Sequence, residues 1–192
     1  MGLDLDTYIT GYAFLSLAEP VRILDYGKIL SSKEDVLDRW RSIARDVIEV
    51  CPAGGLVKAV AIEEPNCFSN GETTRQLCGL FGIVSYVLYQ NGYYPTAVNT
   101  AHAKKIFCGK GGGDKSVTVD RVNALFNLNF RFSAKAKAKR RDAKSLITSA
   151  GMSDDDVADA IAVAWTLRKD LIETKGSGFE DLSKIPLTNE QV

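Results

Sequence analysis

Histidine is nearly absent from this chain: His102 stands alone among 192 residues. The four cysteines, Cys51, Cys67, Cys78 and Cys108, form no Cys-x-x-Cys pair. These shortages argue against the common zinc ligand sets and a disulfide framework, so reduced thiols are the expectation. No apolar run is long enough to span a bilayer, and the first residues lack the basic-then-apolar order of a secretory signal. A cytoplasmic protein with no membrane contact is expected. Net charge is missing too, because 24 basic side chains balance 24 acidic ones. The balance is uneven along the chain. Between Ala101 and Ser145 lie twelve lysines and arginines against Asp114, Asp120 and Asp142. A basic stretch beside an acidic remainder suits a polyanion held on one surface while carboxylates work nearby.

What is present reads as a mixed α/β order. MGLDLD alternates in the manner of a strand, with Leu3 and Leu5 on one side and Asp4 on the other. Two further strands follow at residues 9–17 and 21–30. Helical spacing then begins, with Val36, Leu37, Trp40, Ile43, Val47 and Ile48 on one face and Ser32 with Asp35 as a capping box. VKAVAIEE (57–64) is a buried strand ending at two acids, and residues 70–93 form an unusually apolar helix. A fifth strand at 94–100 precedes a helix, a glycine-rich loop and another helix reaching Phe130. The expected architecture is a central mixed sheet of five strands, three antiparallel and then parallel ones, flanked by helices.

The segment DDDVADAIAVAWTLRK (154–169) poses a problem of its own. It is built for burial, yet Asp159 sits well inside it. An ionised carboxylate taken out of water without a partner is costly, so a neutral acid or a bound cation is required. Asp154 and Asp155 are explained by a helix start, where acids complement the macrodipole. Asp156 and Asp159 are three apart and share a helical face. Asp4 lies on the first strand between Leu3 and Leu5, and Glu63 ends an apolar strand that a helical crossover can bring beside it. Four such carboxylates raise one another's pKa unless a cation intervenes, and Mg²⁺ suits an all-oxygen set. Each acid alone also has an ordinary solvated reading. GKGGGDKS (109–116) nearly spells a phosphate-binding loop, but Asp114 stands where glycine is needed, so nucleotide triphosphate binding is not expected.

Taken together, these residues resemble the RuvC family of Holliday junction resolvases, within the RNase H-like superfamily. The family's opening aspartate, six residues before Thr-Gly-Tyr, is matched by Asp4 with Thr10-Gly11-Tyr12. Its Ala-Ile-Glu motif is matched by Ala61-Ile62-Glu63, and its closing acid pair by DVADAIAVA with Asp156 and Asp159. Lys104 and Lys115 match two basic positions flanking the glycine-containing loop. The resemblance runs from Gly2 to about Leu167.

That resemblance implies an RNase H-like nuclease domain over residues 1–171, a basic insertion at about 131–150 and a polar tail at 172–192. It implies a Mg²⁺-dependent endonuclease, with Mn²⁺ as a substitute, that resolves four-way junctions by paired cuts leaving 5′-phosphate and 3′-hydroxyl ends. Asp4, Glu63, Asp156 and Asp159 are then catalytic residues and metal ligands for two ions about 4 Å apart. DNA contacts are expected from Lys104, Lys110, Lys115, Phe68, Lys137, Lys139, Arg140 and Arg141. A homodimer is expected through the helix at 70–92, with Leu77, Leu80, Phe81, Val84 and Val87 as its contact residues.

The sequence also departs from the pattern: the basic segment 133–147 is longer than the connector usual in bacterial members, which points to a divergent, phage-borne version. Asp6 adds a carboxylate beside the first motif. Asn66 occupies a position where the family carries an aromatic, with Phe68 as a substitute two residues on. Two alternatives stay open: a less selective branched-DNA or RNA nuclease, and a junction-binding protein that does not cut.

Overall fold

Alternation along the strands decides which side chains meet which helices. The computed structural model describes residues 1–52, 56–65, 71–111, 114–133 and 153–176. Its strands are β1 (Gly2–Asp4), β2 (Ile9–Leu15), β3 (Ile23–Leu30), β4 (Val60–Glu63) and β5 (Pro95–Val98). They form one sheet in the order β3-β2-β1-β4-β5. The pairs β1–β2 and β2–β3 are antiparallel, whereas β1–β4 and β4–β5 are parallel. This is the mixed five-stranded sheet expected from sequence. The helices are α1 (Val36–Val50), α2 (Gly71–Gln90), α3 (Thr100–Cys108), α4 (Ser116–Phe126) and α5 (Asp155–Gly176).

Large side chains occupy one face of the sheet. Leu3, Phe14, Ile29, Val60 and Ile62 pack with Ile43 and Val47 of α1 and with Leu80, Val84 and Leu88 of α2. Burying a side chain of this size is worth about 1.5–3 kcal/mol, so this layer dominates the stability. The start of α1 differs from the sequence reading. Asp35, not Ser32, is the cap, and its carboxylate accepts the N–H groups of Leu37 and Asp38. Two of the five α2 residues expected at a dimer face lie inside the protomer's own core. Leu80 and Val84 are fully buried in this core, while Leu77, Phe81 and Val87 keep partial exposure. The outward stripe of α2 consists of Cys78, Gly82, Tyr86 and Tyr89 instead.

The opposite face carries small residues, and α5 lies directly on it. A Cβ added to Gly11 would stand 2.0 Å from the Asp156 carbonyl oxygen, and one at Gly2 would stand 2.3 Å from that of Ala160. Only glycine permits such an approach. Ala13 and Ala61 continue this thin surface, and α5 answers with Ala158, Ala160 and Ala162. Helices α3 and α4 close the flank through Phe107, Val119 and Val122. Helix α4 ends before the expected Phe130, at a left-handed Asn127 with φ of 52°. The chain then doubles back, so that Asn123 exchanges two hydrogen bonds with the backbone of Phe130. Among the described residues no helix is long and apolar enough to cross a membrane.

Candidate metal centre

The period of two along β1 and β4 carries the site. In β1 the residue two before Asp4 is Gly2, and in β4 the residue two before Glu63 is Ala61; both face α5. The two strands run parallel with Gly2 opposite Ala61 and Leu3 opposite Ile62. One residue further on each strand come Asp4 and Glu63, side by side on the α5 face. Helix α5 brings Asp156 and Asp159 to the same end of the sheet, one turn apart and 3 % and 5 % exposed. Carboxylate oxygens of Asp4, Glu63 and Asp159 lie within 4.8 Å of one another. Asp156 stands outside this closest group, but it lines the same cleft of about 370 Å³.

Neighbouring residues fix these carboxylates. The Thr100 hydroxyl, at the first turn of α3, donates to Glu63 Oε1 at 2.5 Å. Asn99 caps that helix and so sets where Thr100 stands. Asp6, whose role the sequence left open, shapes the turn after β1. Its carboxylate accepts the Tyr8 N–H at 3.1 Å, and it also borders the cleft. Lys115 supplies counter-charge, with Nζ 3.0 Å from Asp159 Oδ2 and 3.3 Å from Asp155 Oδ2.

Burial pushes the Asp4 carboxyl well above the usual carboxylate range, and the charge of Glu63 adds to this. Lys115 opposes the shift, whereas Asp159 and Asp156 reinforce it. Glu63 is raised as well, first by burial, against the stabilising hydrogen bond from Thr100. Acids gathered this tightly hold their protons unless a cation replaces them. A hard divalent ion fits the donor set, which offers only carboxylate oxygens.

Of the residues singled out by sequence, Asp4, Glu63, Asp156, Asp159, Lys104 and Lys115 all line this cleft. Lys110 is exposed on the glycine-rich loop and does not line it. Phe68, Lys137, Lys139, Arg140 and Arg141 lie outside the described residues, as does most of the 131–150 segment. Two residues of the site escaped the sequence reading. Thr100 gave no signal beyond its place after a capping asparagine. Asp155 was hidden in an acidic run that a helix start explains.

No family model matches the sequence. The chain is 27 % identical over 129 residues to the crossover junction endodeoxyribonuclease RuvC of Ehrlichia chaffeensis, covering 67 % of this chain and 82 % of that one. Among solved structures, Thermus thermophilus RuvC in complex with a Holliday junction substrate matches with a TM-score of 0.68. That match holds 20 % identity and covers 90 % of this chain and 94 % of the other. The chain is similar to RuvC in sequence and shares its fold. A second Thermus thermophilus RuvC structure gives a TM-score of 0.66, also at 20 % identity, over 90 % of this chain and 95 % of that one. The yeast mitochondrial Holliday junction resolvase Ydc2 gives 0.51 at 14 % identity, over 91 % of this chain and 79 % of that one. The RuvC fold therefore extends over nearly the whole chain, and the acidic cluster sits within it.

Proposed function

We propose that the chain is a metal-dependent endonuclease that resolves four-way DNA junctions by paired phosphodiester hydrolysis. The observation that carries this reading is the convergence of Asp4, Glu63 and Asp159, from two strands and a helix, beside Lys115. Asp4, Glu63, Asp156 and Asp159 would hold two Mg²⁺ ions, or Mn²⁺ in their place. When bound, the metal supplies an activated hydroxide and neutralises charge on the leaving oxygen.

The chain's own residues do the rest. Thr100 orients Glu63 through its hydroxyl, and Asp6 holds the turn that follows Asp4. Lys104 and Lys115, at the cleft wall, face the phosphate and reduce its charge during attack. Lys110 and the basic residues Lys137, Lys139, Arg140 and Arg141 add affinity for the backbone that weakens with salt. Products carry 5′-phosphate and 3′-hydroxyl ends. A junction has two-fold symmetry, so paired cuts call for a homodimer, with the outward stripe of α2 as the contact.

The decisive experiment incubates labelled four-way junction, fork and linear duplex with the protein in Mg²⁺ or chelator, beside Asp156→Asn and Asp159→Asn. Paired, religatable nicks confined to the junction, and absent from both variants, are expected. Equal cutting of fork and junction would favour a less selective branched-DNA nuclease, a reading that Asn66 at the family's aromatic position keeps in view. Tight binding by the unmodified protein without any cutting would remove the enzyme reading.

A further inference from the structure

The acidic run that opens α5 divides its work three ways. Asp154 turns outward, with Oδ1 3.0 Å from Lys28 Nζ and Oδ2 accepting the Arg131 N–H at 3.0 Å. Asp156 borders the cleft. Asp155 does neither, and at 1 % exposed it is among the most buried acids described. Its Oδ1 accepts the Ser153 hydroxyl at 2.7 Å, and that hydroxyl oxygen accepts the Ser133 N–H at 3.2 Å. One oxygen is thereby anchored to the chain on either side of residues 134–152, and the other faces Lys115 Nζ at 3.3 Å.

A dipole-complementing acid at a helix start needs no such arrangement. It is commonly exposed and points at backbone N–H groups. Asp155 instead shares one ammonium with Asp159, whose Oδ2 is 3.0 Å from the same Nζ. The two carboxylates differ in kind. Asp159 belongs to the group placed to ligate a metal, and Asp155 does not. The Asp159 oxygen that Lys115 contacts is one a divalent ion would need, so the lysine would have to give way on binding. The buried Asp155 carboxylate is where that ammonium can stay.

We infer that Asp155 is a positioning residue that keeps Lys115 at the cleft wall when metal occupies Asp159. The inference rests on the metal-centre reading above. Lys115 and the metal then compete for Asp159, and Asp155 decides how strongly. With Asp155 in place the ammonium shifts sideways and remains close to the phosphate. Without it the ammonium leans more on Asp159 and obstructs the ion.

The test is a double-mutant cycle read by calorimetric titration of the full chain with Mg²⁺ alone, without DNA. Lys115→Met should bind Mg²⁺ about threefold to tenfold more tightly, the size expected for directly contacting groups. Asp155→Asn should bind it more weakly by a similar factor. In the Lys115→Met background, Asp155→Asn should change affinity little, because nothing remains for it to position. Equal weakening in both backgrounds would mean that Asp155 acts as a plain negative charge, and unchanged binding by Lys115→Met would mean that there is no competition; either result overturns the inference while leaving the metal centre intact. Absence of any Mg²⁺ binding by the unmodified chain overturns the metal-centre reading, and the inference with it. Melting curves check that each variant folds. If Asp155→Asn does not, Ser153→Ala, which releases the anchored oxygen without altering charge, replaces it in the cycle with the same expected pattern.

Discussion

At the scale of single residues, the chemistry depends on groups that hold the acids as much as on the acids themselves. Thr100 illustrates this. Its hydroxyl fixes Glu63, and losing a partner of this kind commonly costs a metal site about 10–100-fold in affinity or activity. Thr100→Val should leave the melting temperature nearly unchanged while lowering Mg²⁺ affinity and junction cutting by about tenfold; a melting-temperature loss as large as that of a core variant would contradict the positioning role. The raised pKa values of Asp4 and Glu63 give a second expectation. The fold favours their protonated forms, so without metal their contribution to stability is full below the ordinary carboxylate pKa, about 4. It is lost as pH rises through the raised folded values. In chelator the melting temperature should therefore fall from mildly acidic toward neutral pH, and Mg²⁺, which binds the ionised carboxylates, should restore most at the upper end. Melting curves with and without Mg²⁺ across that range test both signs. Residue type and spacing were enough to single out Asp4, Glu63, Asp156 and Asp159. Nothing in the sequence distinguished Asp155 from Asp154, because both occur where helices ordinarily collect acids. Their difference arises from the partners that tertiary folding brings, Lys115 to one and Lys28 to the other.

At the scale of elements, the seam between α5 and the sheet governs the geometry of the site. Helix and strands meet backbone to backbone, with Gly11 beneath Asp156 and Gly2 beneath Ala160. Gly11→Ala cannot be absorbed by rotating a side chain, because the obstacle is a main-chain carbonyl. It should destabilise the fold by about 1–3 kcal/mol, the usual cost of overpacking, and reduce cutting further by moving Asp156 away from Asp4. For stability alone, Gly82→Ala on the open side of α2, which meets nothing within 4 Å of its own chain, is the matched control. The strand and helix order was legible because the hydrophobic period changes cleanly at each boundary, as from β3 into α1. The role of α2 was not. A helix that is apolar on several faces looks the same in sequence whether it packs on its own core or on a second copy. Here Leu80, Val84 and Leu88 turn inward, and Tyr86 and Tyr89 face out.

At the scale of the whole molecule, residues 4, 63 and 159, far apart in the chain, become neighbours only because parallel pairing aligns β1 with β4 and α5 then covers them. Sedimentation or light scattering should report a dimer. Tyr86→Lys, placing charge on the outward stripe of α2, should yield monomers that still bind Mg²⁺ yet nick junctions singly; a dimer unaffected by this change would move the contact elsewhere. The order of the elements also bears on synthesis. A ribosome delivers Asp4 and Glu63 early and Asp159 only near the close of the described fold, so a chain interrupted before α5 carries half a set of acids on an uncovered, glycine-lined sheet. On the proposed reading, prematurely terminated copies are harmless to the DNA around them, and the ability to cut appears only with the segment that finishes the fold.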